Sequence, residues 1–88
     1  MPTISHFFGI LIRMNYVDHN PPHFHAEYQG YSASFLIATG TLYAGQLPKA
    51  LLPTIRKWII KHKRELLRNW ENARMRKPLS MIPGADNE

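Results

Sequence analysis

The stretch HNPPHFHAEY, residues 19–28, decides the fold because its second half alternates strictly between polar and apolar side chains. From His23 onward, every second position of residues 23–28 carries His, His and Glu, and the positions between them carry Phe, Ala and Tyr. A period of two is typical of a strand with one buried face. The pattern therefore predicts a strand whose histidine-bearing face points away from the core.

Further strands are predicted on both sides of this one. Residues 7–17, FFGILIRMNYV, are rich in strand-forming residues and predict the first strand. Residues 31–38 repeat the alternation after a tight turn at Gln29–Gly30, and a short strand at 41–47 follows a second turn at Thr39–Gly40. Four strands joined by short turns predict an antiparallel meander.

The apolar period changes to that of a helix from Lys49 onward. One amphipathic helix is predicted to about Met75, with a break near residues 61–63 as the alternative, and Pro53 fits only its first turn. The apolar stripe consists of Leu52, Ile55, Ile59, Leu66 and Trp70. The expected fold class is α+β, a four-stranded antiparallel sheet packed against a C-terminal helix that is single or broken into two. Residues 1–78 are expected to form one domain and residues 79–88, rich in helix breakers, a loose tail.

Length and cysteine content restrict the class of protein. A chain of 88 residues forms one small domain, and without cysteine it has neither disulfides nor thiolate chemistry. The N-terminus lacks the features of a secretory signal, and its apolar run FFGILI is too short to span a bilayer. We expect a cytoplasmic protein that does not act at a membrane.

The basic residues are concentrated in the second half of the chain. Residues 49–77 carry ten basic residues against two acidic ones, whereas residues 1–48 carry only one basic residue. Four of the ten follow one another at helical spacings of four, three and four: Lys57, Lys61, Arg64 and Arg68. Such a row is either a solvated helix face or a surface that binds a phosphate backbone or an acidic partner protein.

The histidine-rich stretch is the richest source of chemistry. Alternate side chains on one strand face lie about 6.5–7 Å apart, and the rigid Asn20–Pro21–Pro22 segment is a device that folds His19 back toward the strand. Three interpretations stay open: polar surface, a divalent metal site such as zinc, or acid–base catalysis without a cofactor. The metal ligands would be His19, His23 and His25. The catalytic set for RNA cleavage would be the same three histidines, with Glu27 orienting one of them and Arg13 stabilising the phosphorane.

Several motifs together resemble a small bacterial family designated domain of unknown function 4160. They are MPTIS at the N-terminus, GILIRM, DHNPPHFHAEY, the Gly45–Pro48 segment and ELLRNWENAR after Trp58, covering roughly residues 1–78. The resemblance implies membership of a toxin–antitoxin module, in which such a protein is paired with another small protein. The motif residues that match are Asp18, His19, Asn20, Pro21, Pro22, His23, His25 and Glu27. The chain departs from the family pattern at His6, at Pro53 and in the apolar turn at 38–42.

Three functions follow as hypotheses. The first is a toxin-like protein that acts on RNA by histidine acid–base chemistry. The second is a regulator that binds RNA, DNA or a small acidic, antitoxin-like partner through the basic helix, with or without self-association. The third is a metal-binding protein.

Overall fold

The structure, a computed structural model that describes residues 1–87, is an α+β fold in which an antiparallel sheet packs against two helices. The sheet has five strands in chain order, each pairing with the next, so the meander is confirmed and the predicted number of four is wrong. The elements are β1 (Thr3–Phe7), β2 (Ile10–Arg13), β3 (His23–Tyr28), β4 (Tyr31–Leu36), β5 (Leu42–Gly45), a 3-10 turn (Lys49–Leu51), α1 (Leu52–Lys61), α2 (Lys63–Arg74) and a second 3-10 turn (Ala85–Asn87).

The extra strand arises because the predicted strand at 7–17 is interrupted by a hairpin turn. Phe8 and Gly9 have φ values of 51° and 77°, the left-handed pair typical of a two-residue turn between antiparallel strands. The turn joins β1 to β2, and Phe7 pairs with Ile10. Phe8 itself is exposed, so it does not continue an apolar strand face.

The β3–β4 hairpin follows the predicted alternation. Its turn, Gln29–Gly30, has φ values of 42° and 85°, again the left-handed pair that a tight hairpin needs. The register places Phe24 opposite Phe35, and both rings are buried and stacked 5.7 Å apart. This register fixes which face of β3 reaches the core.

The helical region contains a break at the position given as the alternative. His62 has φ −108° and ψ 22°, outside the helical range, and separates α1 from α2. Its ring packs 5.5 Å from the ring of Trp58, and its Nδ1 lies 2.7 Å from Oε1 of Glu65. Pro53 lies in the first turn of α1, as expected. None of the helices within the described residues is both long and apolar enough to cross a membrane.

The core lies between one sheet face and the apolar stripe of the helices. The central side chain is Trp58 of α1, whose ring lies 5.0 Å from Phe7 and 5.9 Å, edge-on, from Phe24. Four of the five residues of the predicted stripe are buried: Ile55, Ile59, Leu66 and Trp70. Burial of this apolar surface is the main term that holds the sheet and the helices together.

Residues 79–87 are part of the fold rather than the loose tail predicted for 79–88; Glu88 lies outside the described residues. Ile82 is buried, its N–H donates to the carbonyl of Ile4 at 2.7 Å, and its own carbonyl accepts from the hydroxyl of Ser5 at 2.8 Å. The indole N–H of Trp58 donates to the carbonyl of Pro83 at 2.9 Å. These hydrogen bonds satisfy buried polar groups of the domain and hold the segment against it. The prolines therefore prevent a helix here, but the segment stays docked on the domain.

Candidate functional site

The alternation of β3 places His23 and His25 on the sheet face opposite the buried Phe24 and Ala26. His23 is nevertheless almost fully buried, since the rings of Trp70 and Tyr43 lie 5.3 Å and 5.8 Å from its own. His25 is partly exposed, and the two imidazoles meet edge to face at 5.4 Å. One histidine is therefore held in place by aromatic packing, while its neighbour is accessible to solvent.

Asp18, in the loop between β2 and β3, joins the two histidines. Its Oδ2 lies 3.1 Å from Nε2 of His23 and 3.7 Å from Nε2 of His25. The three donor atoms all lie within 4.8 Å of one another. A carboxylate and two imidazoles from two separate segments thus converge on one point.

Both imidazoles are oriented through their Nδ1 atoms. Nδ1 of His23 lies 2.7 Å from the carbonyl oxygen of Pro21, which can only accept, so this nitrogen carries the proton. Nδ1 of His25 lies 3.1 Å from the hydroxyl of Ser34, its partner across the β3–β4 hairpin. In the neutral tautomer of His23, the lone pair of Nε2 therefore faces the carboxylate of Asp18.

The Asp18 carboxylate is itself held by hydrogen bonds. The backbone N–H of His19 donates to Oδ1 at 2.8 Å, and the amide of Asn15 donates to Oδ2 at 3.2 Å. Burial acts to raise the pKa of Asp18, but these two donors, the nearby His23 and the hydrogen bond with His25 act against it and hold the pKa below its ordinary value. The loop therefore presents an ionised carboxylate to the two imidazoles.

The spacing of the donor atoms suits a metal ion. Two ligands at 2.0–2.1 Å from a metal lie about 2.9 Å apart in octahedral and about 3.4 Å apart in tetrahedral geometry. The two distances from the Asp18 carboxylate, 3.1 Å and 3.7 Å, lie close to this range. Histidine ligands in metal sites also donate their second ring N–H to a carbonyl, carboxylate or water, as His23 does to Pro21.

The structure separates the predicted site residues into two groups. His23 and His25 belong to the converging cluster, but His19 is exposed and contributes its backbone N–H rather than its ring. Glu27 is not one of the three converging donors; its Oε2 lies 3.9 Å from Nε of Arg13. Arg13 pairs with His25 across β2 and β3, so this ion pair lies beside the cluster.

The four predicted basic residues are all exposed, although the break at His62 divides them between α1 and α2. Lys57 and Lys61 line one shallow depression, and Lys61 and Arg64 line the next, so the row continues across the break. Both acidic residues of the helices have partners: Glu65 pairs with His62, and Glu71 pairs with Arg74 at 3.3 Å. Each of these two carboxylates thus has its ion-pair partner three residues away along the chain.

Comparison with known proteins places the chain in a family. The sequence profile described as Domain of unknown function (DUF4160) matches residues 9–71, which contain the whole Asp18–His23–His25 cluster. The chain belongs to this family. Its DUF4160 match runs from the β1–β2 turn into the last turns of α2. No curated protein and no solved structure matches the chain.

Sequence reasoning named Asp18 only as a matching motif residue and not as a ligand or catalytic group, and it missed Asn15 altogether. Asp18 is the only acidic residue before Glu27, and it directly precedes the histidine-rich stretch, which is the signal that could have drawn attention to it. Asn15 offers no comparable signal, because its amide becomes relevant only when the loop brings it within 3.4 Å of Nε2 of His25.

Proposed function

We propose that this protein binds a divalent transition-metal ion through Asp18, His23 and His25. The observation that carries the proposal is the convergence of one carboxylate oxygen and two imidazole Nε2 atoms, with both Nδ1 atoms engaged elsewhere. Imidazole and carboxylate donors together suit zinc and its first-row neighbours better than calcium or magnesium, which prefer oxygen alone.

A proton on Nε2 of His23 is the alternative to a metal ion between His23 and Asp18. If His23 is doubly protonated, its Nε2–H donates to Asp18, and the 3.1 Å distance describes an ion pair. A metal ion and a proton exclude each other at this nitrogen, because a ligating imidazole offers an unprotonated lone pair. Measured metal binding therefore separates the two.

The site has the features of a reactive rather than a purely structural metal centre. Three protein ligands leave at least one coordination position for water or substrate, and structural zinc sites instead use four. Asp18 and His25 keep part of their surface exposed, so solvent reaches the cluster. A bound ion would supply a water molecule acidified for hydrolysis.

Calorimetric titration of the untagged, chelator-treated protein with ZnCl₂ tests the proposal. We expect one ion per chain, and the variants His23→Ala and His25→Ala should each bind about 100-fold more weakly or not at all. His6→Ala is the matched control, because His6 is exposed on β1, two strands from β3, and is not one of the converging donors. Wild-type protein that takes up no zinc, cobalt or nickel would show that the cluster is a proton-bridged ion pair.

Binding of an anionic polymer is a second candidate function, favoured by the exposed row Lys57, Lys61, Arg64 and Arg68. Reversing all four charges should abolish binding to single-stranded RNA in a filter assay, and binding by the wild type should weaken steeply with salt. Charge reversal that leaves the affinity unchanged would remove this candidate.

RNA cleavage by histidine acid–base chemistry, as a toxin, stays a prediction. It needs a phosphate between two imidazoles, and a carboxylate occupies that position, so the geometry supports it less than it supports metal binding. Growth inhibition on expression that is lost in the double variant His23→Ala/His25→Ala, with the fold retained, would favour this hypothesis.

A further inference from the structure

One edge of the sheet is covered by another segment of the chain, and the other edge is not covered by a further strand of the described residues. At the β1 edge the C-terminal segment covers the strand, with the N–H of Ile82 bound to the carbonyl of Ile4. At the other edge the strand order ends at β5, and no strand of the described residues lies beyond it. All four residues of β5, Leu42–Gly45, are exposed. An exposed edge is a template for pairing with another chain, and proteins usually cover or blunt it.

An apolar groove runs beside this edge. It has a volume of about 720 Å³ and lies between β5 with its preceding turn and the start of the helical region. Its apolar lining consists of Phe35, Leu42, Leu52, Pro53 and Ile60. Ile60 is 64% exposed and Leu42 is 42% exposed, so the groove presents large apolar side chains to solvent.

The rim of the groove has one sign of charge. Lys49, Arg56 and Lys57 line it together with the apolar residues, and within residues 1–87 no acidic residue does. All three cations are exposed. A ligand with negative charges next to its apolar side chains complements such a surface.

We propose that the β5 edge and this groove bind an extended segment of a partner protein, which pairs with β5 as a sixth strand and carries both apolar and acidic residues on the side that faces the groove. Leu42 pairs with the buried Phe35 and lines the groove, whereas the ring of Tyr43 lies against His23 on the opposite face. Alternate side chains of an added strand would therefore enter the groove, as in other cases of strand addition. Among these groove-facing side chains, the apolar ones would contact the apolar lining and the acidic ones would meet the cationic residues.

Charge also distinguishes this occupant from a second copy of the chain. The protein carries a formal net charge of +5, and pairing β5 with β5 of a second copy would place two cationic rims side by side. Like charges brought together at an interface oppose association. An acidic segment removes this repulsion.

A labelled synthetic peptide, fluorescein-LTETLTET-amide, has Leu and Glu alternating along one strand face and Thr on the other, and it tests the proposal by fluorescence anisotropy with the full chain. We expect saturable binding that weakens with salt, and no binding of the LTKTLTKT peptide, which keeps the apolar residues and reverses the charges. Peptide N-methylated at every residue keeps its side chains but has no backbone N–H to donate from either edge, so it should also fail to bind. Hydrogen exchange at the amides of residues 42–45 should slow when the unmodified peptide is bound.

Matched protein variants locate the binding surface. Lys49→Glu/Lys57→Glu should weaken peptide binding about tenfold or more, whereas Lys63→Glu/Lys77→Glu makes the same change of charge at exposed positions outside the groove and should leave it unchanged. The circular-dichroism melting curves of both pairs should match the wild type. Absence of binding at 1 mM peptide, equal binding of the lysine peptide, or equal effects of the two variant pairs would overturn the proposal. A dimer in sedimentation equilibrium that Leu42→Asp dissociates would overturn it in favour of a second copy.

Discussion

Replacing Ile82 with alanine should destabilise the protein strongly, although this residue lies only six positions before the last residue of the chain. The side chain is 3% exposed and belongs to the core, and its backbone bonds Ile4 and Ser5. Truncation of a buried isoleucine to alanine costs about 2–5 kcal/mol, and a value in the lower half of that range, about 3 kcal/mol, suits a site at the rim of the core. For a domain of 88 residues this corresponds to a fall in Tm of about 16 °C.

Thermal unfolding followed by circular dichroism and by tryptophan fluorescence measures this effect, since Trp58 is hydrogen bonded to Pro83 in the same segment. Met81→Ala is the matched control: Met81 is the preceding residue, it is 65% exposed, and its substitution should change stability by less than about 0.5 kcal/mol. Equal and small effects of the two substitutions would refute the docking of residues 79–87 and would favour the loose tail predicted from the sequence.

The remaining predictions concern the site loop and the hairpins. The pKa of Asp18 in the folded protein lies below its ordinary value, so the carboxylate stabilises the fold at neutral pH, and this stabilisation is lost as the pH falls through the lowered pKa. Urea unfolding should therefore show wild type more stable than Asp18→Asn at pH 5, with the gap closing toward pH 2; a gap that widens in acid would contradict the assignment. Gly45→Ala should cost more than about 2 kcal/mol, because φ is +76° and a Cβ would collide with the backbone of Ser32, whereas Gly30→Ala, with φ +85° and open space, should cost about 1 kcal/mol. Equal chemical-denaturation midpoints for the two glycine variants would show that the β4–β5 contact is not as close as described.

Side-chain periodicity was sufficient to predict the class of the fold. The alternation through Phe24 and Ala26, and the helical spacing through Ile55 and Ile59, correctly identified residues that are fully buried in the structure. The β1–β2 hairpin could not be predicted from side-chain periodicity. Its turn begins with Phe8, an aromatic residue in place of the Asn or Asp that usually marks a left-handed turn position, so the apolar run concealed the reversal.

The composition of the site could be predicted only in part. A strand period of two requires His23 and His25 to share a face, and this depends on neighbours along the chain alone. The third donor depends on the path of the loop at residues 14–22, where a hydrogen bond from the His19 backbone turns the Asp18 carboxylate toward the strand. Loop conformation follows from such individual contacts rather than from a repeat, and the sequence therefore favoured the ring of His19 over its neighbour.

The most direct test of the metal site is the absorption spectrum of the protein titrated with Co²⁺, compared between Asp18→Ala and His19→Ala. The account predicts visible d–d bands that saturate at one ion per chain in the wild type and in His19→Ala, and that disappear in Asp18→Ala. Loss of the bands in His19→Ala together with their retention in Asp18→Ala would contradict it, because the ligands would then be the three histidines rather than Asp18, His23 and His25.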